Sequence, residues 1–134
     1  IIWAAVRDQN AYLIKRDGHH LATEPGNLKG IHSFKYSGLA RRRTVDLEDN
    51  EDGSVTLTYR RQNRTTLSQP AEGYSEITFT KHPRKTAASI RNVLNGYRPD
   101  LTGAALGRYY RLRQVNKPRK THFKRGRRVL DRGQ

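Results

Sequence analysis

The chain opens on six consecutive apolar residues, IIWAAV (1–6), before its first charge at Arg7. A run that short and uniformly apolar fits a short helix ending near Asn10 or a buried strand equally well. From residue 11 the pattern turns to period two. AYLIKR and HHLATE flank Asp17-Gly18, a pair that supplies the positive φ of a tight hairpin turn, so 11–24 reads as a β-hairpin. Glu24-Pro25-Gly26 marks a turn. In IHSFKY (31–36) alternation puts His32, Phe34 and Tyr36 on one face and Ile31, Ser33 and Lys35 on the other, as in a strand. RTVDLE (43–48) and SVTLTYRR (54–61), joined by DNEDG, make the clearest hairpin, with Val55, Leu57 and Tyr59 facing one way. Residues 62–73 are polar and rich in turn formers and read as a loop. YSEITFTK (74–81) is a further strand, with Ile77 and Phe79 inward.

After His82-Pro83 the period lengthens. RKTAASIRNVLNG (84–96) sets Ala87, Ile90 and Leu94 on one helical face, and Gly96 stands where a residue just past the helix belongs. Arg98-Pro99-Asp100 interrupts the pattern, and Asp100 reads as the N-cap of a second helix over about 101–115. At about 100° per residue Leu101, Ala105 and Leu112 align. Arg108 falls within that stripe, its stem along the core edge and its head in solvent or on a phosphate. Pro118 closes the helix, and no apolar period follows it. Strands first and helices later define an α+β chain. The expected architecture is a small antiparallel β-sheet domain of hairpins packed with two helices of the C-terminal half. This globular body spans 1–116, and an extended basic tail spans 117–134.

Charge changes the picture most. The 134 residues carry 27 Lys and Arg against 12 Asp and Glu, a formal +15 with a pI near 10.8. Residues 1–80 hold 11 basic and 10 acidic groups, while residues 81–134 hold 16 and 2. Such a balance calls for a polyanionic partner, and such asymmetry is that of a nucleic-acid-binding portion attached to an ordinary body. Cysteine is absent, which excludes disulfides, thiolate-bound zinc and thiol catalysis. No apolar run approaches the ~18 residues of a membrane-spanning helix. Residues 1–6 are too short for a signal-peptide core and have no basic region before them. The absence of any Met implies residues preceding Ile1.

The candidate chemistry is cationic throughout. The tail KPRKTHFKRGRR (117–128) gathers Lys117, Arg119, Lys120, Lys124, Arg125, Arg127 and Arg128 around His122 and Phe123. Such cations neutralise phosphates and release counterions, and an embedded ring can stack on an exposed base. A polybasic membrane tether would need a lipid anchor or an apolar helical face, and neither is visible. Arg84 and Lys85 begin the first long helix, and Arg98, Arg108, Arg111 and Arg113 surround the second. Asp100 is the sole acid between 77 and 130, where a merely solvated helix would mix signs. A second basic patch lies in LATEPGNLKGIHSFKYSGLARRR (21–43), with Lys29, Lys35, Arg41, Arg42 and Arg43 against the lone acid Glu24. Phe34 and Tyr36 within it are either the core face of a strand or a stacking platform. Gly103 and Gly107, one turn apart opposite Leu101 and Leu112, each cost about 1 kcal/mol relative to Ala. Either a sugar-phosphate backbone or a protein approaches closely there, or the helix is weak until it binds.

The acidic cluster DLEDNEDG (46–53) puts Tyr59 where a calcium loop needs its twelfth-position Glu, so it reads as a solvated hairpin tip pointing away from the polyanion. His19, His20, His32, His82 and His122 show no metal-ligand spacing. No catalytic carboxylate pair, Ser/His/Asp motif or phosphate-cradling glycine loop appears.

YLIKR (12–16), TEPGNLKGIHSFKYSGLARRRTV (23–45), ASIRNVL (88–94) and YRPDL (97–101) occur in the order and spacing of a known family. With AALGRYYRLRQVNKP (104–118), they make the chain resemble the eukaryote-specific ribosomal protein twenty-eight of the large subunit. The likeness spans nearly the whole chain and is weakest over 48–73. It implies a small α+β domain on the cytosolic large subunit, held by large-subunit ribosomal RNA beside neighbouring ribosomal proteins. It implies no enzyme activity, no cofactor, no membrane and no small-molecule substrate, with nucleolar passage during assembly. It also makes the opening IIWAAVRDQ a short helix. A related family of nucleolar assembly factors shares the fold but carries cysteines and acidic C-terminal regions, which this chain lacks. About ten phosphate contacts would give a log–log salt slope near −7 to −9 on a cognate RNA fragment. A slope shallower than about −3 would sink the extended-tail arrangement.

Overall fold

Asp-Gly punctuation and period-two alternation become hairpins. A computed structural model of the chain describes residues 1–61 and 70–117. Of the loop expected at 62–73, residues 62–69 lie outside the described residues and Pro70–Gly73 forms a 3-10 turn. The tail positions Arg119, Lys120, Phe123, Lys124, Arg125, Arg127 and Arg128 also lie outside the described residues. β1 (Leu13–Arg16) and β2 (His19–Ala22) pair antiparallel across Asp17 and Gly18, whose φ angles are 49° and 74°. β3 (Val45–Asp49), β4 (Val55–Arg60) and β5 (Tyr74–Phe79) form a separate antiparallel sheet in that order, with Leu57 opposite both Leu47 and Ile77. The apolar opening is α1 (Ile2–Val6), as the family resemblance implied. Its Trp3 ring lies 5.0 Å from that of His32 and 5.8 Å from that of Phe34.

One face of the three-stranded sheet floors the core. Val45, Leu47, Val55 and Leu57 pack with Ile90 and Leu94 of α2 (Pro83–Tyr97), and with Leu101, Ala105 and Tyr109 at and along α3 (Thr102–Asn116). Leu28, Leu47, Leu57, Ile90 and Leu94 are each at 1% exposure or less. Full burial of such a side chain contributes about 1.5–3 kcal/mol. The two-stranded hairpin and α1 lie outside this core, which includes none of their residues. Both strand hairpins and the Ala87–Ile90–Leu94 face therefore match the sequence pattern.

Several expectations give way. Residues 31–36 are not a strand. The backbone N–H groups of Tyr36 and Ser37 both donate to the Ser33 carbonyl (3.2 and 2.9 Å), so the segment coils, and only Ile31 keeps a bridge to Leu21. Gly96 does not lie past the end of α2, which runs to Tyr97 and closes with Arg98 N–H on the Leu94 carbonyl at 2.8 Å. The Tyr97 ring is packed against the core and its hydroxyl donates to the Arg60 carbonyl at 2.6 Å, holding that last turn helical. At the other end Pro83 starts the helix and His82 caps it, Nδ1 accepting from Arg84 N–H at 3.4 Å. Asp100 does not cap α3. It sits in a 3-10 turn, Pro99–Leu101, because Arg98 holds its carboxylate through Nε (2.9 Å) and Nη2 (2.7 Å). Arg108 is exposed, and Tyr109 takes the buried place after Ala105. The buried stripe is centred between Ala105 and Tyr109, which rotates Arg108 out of it. Asp46 is no part of a solvated tip, since its carboxylate accepts from the backbone N–H of Gly26 (3.1 Å) and Leu47 (2.8 Å).

The segment from Thr23 to Thr44 is organised by polar side chains. Glu24 is 4% exposed, and a buried carboxyl is costly unless hydrogen-bonded. Asn27 Nδ2 donates to its Oε1 at 3.0 Å and Ser37 Oγ to its Oε2 at 3.2 Å. Asn27 Oδ1 accepts from the N–H groups of Lys29 (3.3 Å) and Gly30 (2.9 Å), and its Nδ2 also reaches the Ile31 carbonyl at 3.0 Å. Two strands of coil thereby lie back to back, close enough that a Cβ on Gly38 would come within 1.9 Å of the Pro25 carbonyl oxygen. This contact is what fixes glycine at the heart of the TEPGNL…SGL pattern. Gly38→Ala should therefore cost about 2–3 kcal/mol in urea unfolding, the range of a forced overpacking. Gly18→Ala, whose Cβ would meet nothing within 4 Å, should cost only about 1–2 kcal/mol for its left-handed backbone. Equal losses at the two positions would overturn the close-approach account.

Candidate nucleic-acid interface

The 28–43 segment and α3, remote in sequence, stand side by side. Leu28 is inserted into the core and pins the segment's first turn there. Lys29 and Lys35 are left exposed, their ammonium groups 5.5 and 5.7 Å from the Tyr36 ring centroid. These distances place both cations within reach of the ring's negative face. Across from them α3 exposes Arg108 and Arg111. Burial of Leu101, Ala105 and Tyr109 turns these arginines outward, together with Gly103 and Gly107.

The rings at 34 and 36 separate in role. Tyr36 is partly buried against the core. Phe34 is 45% exposed, with the Arg41 guanidinium 3.9 Å above its ring and Trp3 beside it. Arg41 Nε also donates to the Phe34 carbonyl at 3.2 Å, so this arginine is held flat rather than extended. Neither ring is on a strand.

Arg98 ties the segment to the junction between α2 and α3. Besides Asp100, its guanidinium donates to the carbonyl of Arg43 through Nη1 (2.9 Å) and to that of Lys35 through Nη2 (3.1 Å). Its side chain is 11% exposed, so Arg98 has an inward, structural place among the cations singled out from the sequence. Arg43 answers from the other side, Nη1 donating to the Tyr97 carbonyl at 3.0 Å with its guanidinium 5.7 Å from the Tyr97 ring. Burial pushes the Tyr97 hydroxyl above its ordinary pKa, consistent with its donation into the sheet. Arg42 is exposed.

A third cationic area lies at the start of α2. Arg84 and Lys85 occupy the first turn, where the helix dipole favours anions by about 0.3–1 kcal/mol. Their placement works against helix stability and suits an external anion. The adjoining cleft is lined by Lys81, His82, Arg113 and Lys117, with Phe79 and Tyr109 at its base. Sequence reasoning missed Lys81 and also Arg91, exposed on α2. The Lys-His-Pro entry to a helix without acids in its first turn was the available signal. The acidic hairpin meets this end of the molecule, Asn116 Nδ2 donating to Asp49 Oδ1. Among the described residues no three His, Asp or Glu side chains could hold a metal ion, and no helix is long and apolar enough to cross a membrane.

Comparison with known proteins converges on one family. The model of the ribosomal L28e protein family matches residues 1–115. The chain is 36% identical over 116 residues to the large ribosomal subunit protein eL28 of Dictyostelium discoideum, covering 86% of each chain. It is 29% identical over 127 residues to that of Schizosaccharomyces pombe, covering 90% of this chain and 94% of the relative. With the Caenorhabditis elegans protein it shares 32% over 95 residues, 69% of each chain.

The Arg98 junction makes one pH-dependent prediction. Hydrogen bonding from Arg98 holds the Asp100 carboxyl below the ordinary value of 3.8. A depressed folded pKa stabilises above the unfolded value and loses that contribution as pH falls through the folded one. The gap in Tm between the parent and Asp100→Asn should be open near neutrality and close in acid. A gap unchanged into strong acid would show that the Arg98 junction does not depend on the charge of Asp100.

Proposed function

The chain belongs to the ribosomal L28e protein family, and from that premise we propose that it is a structural constituent of the large subunit of the cytosolic eukaryotic ribosome. It binds folded ribosomal RNA by charge neutralisation and shape recognition, beside neighbouring ribosomal proteins, without catalysis or cofactor. The observation that carries the reading is the convergence of Lys29 and Lys35 with Arg108 and Arg111 on one side of the body. Two runs selected from the sequence for their charge become one surface, and like charges crowded together repel unless a polyanion meets them. Relatives in three organisms are large ribosomal subunit proteins by name, which supports the same assignment.

Within this reading the body at 1–116 presents Lys29, Lys35, Arg42, Arg84, Lys85, Arg108, Arg111 and Arg113 to RNA, with Arg41, Arg43 and Arg98 shaping the surface they stand on. Lys117 and the basic residues from Arg119 to Arg128 add further phosphate contacts. Cytosolic ribosomes are the site of action, reached after nucleolar assembly.

Ultraviolet crosslinking in purified ribosomes, followed by peptide mapping, tests this. RNA adducts are expected in 29–43 and 108–128, with few or none in 46–53. Adducts concentrated in 46–53, or none at all, would remove the proposed surface. Presence of the protein in translating polysomes is the accompanying result. Confinement to nucleolar precursors would instead make it an assembly factor.

A further inference from the structure

Between the 28–36 segment and α3 runs a groove of about 440 Å³, within the range of a site for one small ligand or one residue of a polymer. Lys29 enters its lining from one side, Arg108 and Arg111 from the other. Asp100, the acid in that lining, is already paired with Arg98 at 2.7 Å. The groove therefore presents uncompensated positive charge. Its lining also includes Tyr36 and Ala104, so it is the charge of Lys29, Arg108 and Arg111, not a lack of apolar surface, that points to a polyanion.

The helical wall is bare at Gly103 and Gly107. Neither residue has a positive φ, and a Cβ on either would meet nothing within 4 Å. The fold itself thus requires glycine at neither position, in contrast to Gly38. Alanine in both would make a better helix by propensity alone. Glycines that the chain does not need, set in a cationic groove, are explained by what the groove receives.

We propose that the groove takes one strand of RNA along its ribose–phosphate backbone. The phosphates pair with Lys29, Arg108 and Arg111, and the sugar edge rests on α3 at Gly103 and Gly107. One backbone is specified because an opening of about 440 Å³ has no room for two strands side by side. This inference rests on the RNA-binding reading above and adds the part of the RNA and the place where it sits.

The test uses the full chain, with fragmented eukaryotic large-subunit ribosomal RNA as the probe in filter binding. The substitutions are G103A/G107A and the bulkier G103L/G107L. The alanine pair should raise Tm by several degrees while lowering affinity about tenfold, and the leucine pair should lower it further. Stability and binding then move in opposite directions, which unfolding cannot imitate. If the parent binds and both pairs bind equally well, the groove is not the contact, and the RNA reading stands on the remaining surface. A parent that fails to bind removes the RNA reading itself. Unchanged RNA affinity with lost incorporation into large subunits would put a protein neighbour in the groove and overturn the proposal. A lower Tm in the alanine pair would overturn it too, because the fold would then need those glycines.

Discussion

Glu24 is the residue on which the remaining surface depends. Its buried carboxyl takes one hydrogen bond from Asn27 and one from Ser37, drawing together two stretches of chain that have no sheet or helix to hold them. Asn27 then shapes the turn that carries Lys29, and Ser37 shapes the return that carries Arg41 to Arg43, its Oγ also accepting from Ala40 N–H at 3.2 Å. Unmade, such bonds would leave polar groups stranded in the interior, so the set is all or nothing. A loop whose backbone is irregular is in this way made as definite as a strand. Its cations acquire fixed positions without being buried.

The scaffold achieves this definition without discharging its own field. Arg41 and Arg43 donate to the carbonyl oxygens of Phe34 and Tyr97, while Arg98 divides its bonds between the carbonyls of Lys35 and Arg43 and the carboxylate of Asp100. Carbonyls satisfy a guanidinium's hydrogen bonds while leaving its net charge in place. Among the described residues the ion pairs are Arg7–Asp8 and Arg98–Asp100, and the first is exposed on both sides and contributes little. Asp100 is the acid in the groove's lining, while Asp46 is turned onto backbone N–H groups, Glu24 is buried on Asn27 and Ser37, and Asp49 accepts from Asn116 at the end of α3. What faces outward from the groove is therefore nearly unopposed positive charge, whereas the acidic hairpin borders the cleft beside the start of α2.

How far the sequence could be read depends on whether a feature was local. Asp17-Gly18, the alternation through Val55, Leu57 and Tyr59, and the Ala87–Ile90–Leu94 face were legible because turn chemistry and periodicity act within a few residues. IHSFKY was misleading for the same reason: its alternation is real, but Glu24, Asn27 and Ser37 impose coil from outside the window. Asp100 had the right residue type for a cap, and Arg98, two residues away, claimed its carboxylate. Arg108 and Tyr109 differ by one step around α3, finer than a stripe of three apolar positions can resolve. The cations of the interface were visible as composition. Their division into those that project and those that brace, Arg98 above all, required the tertiary contacts.

Lys29 and Arg108 face one another across the groove although most of the chain separates them in sequence. Neither wall exists by itself, for the loop needs Arg98 to anchor its return and the helix needs the core to orient its bare side. On a ribosome synthesising this protein the 21–43 segment emerges long before α3. During that interval the loop has neither Arg98 to anchor its return nor the helices that enclose Leu28. The groove is complete, with cations on both walls, only once the last helix has docked.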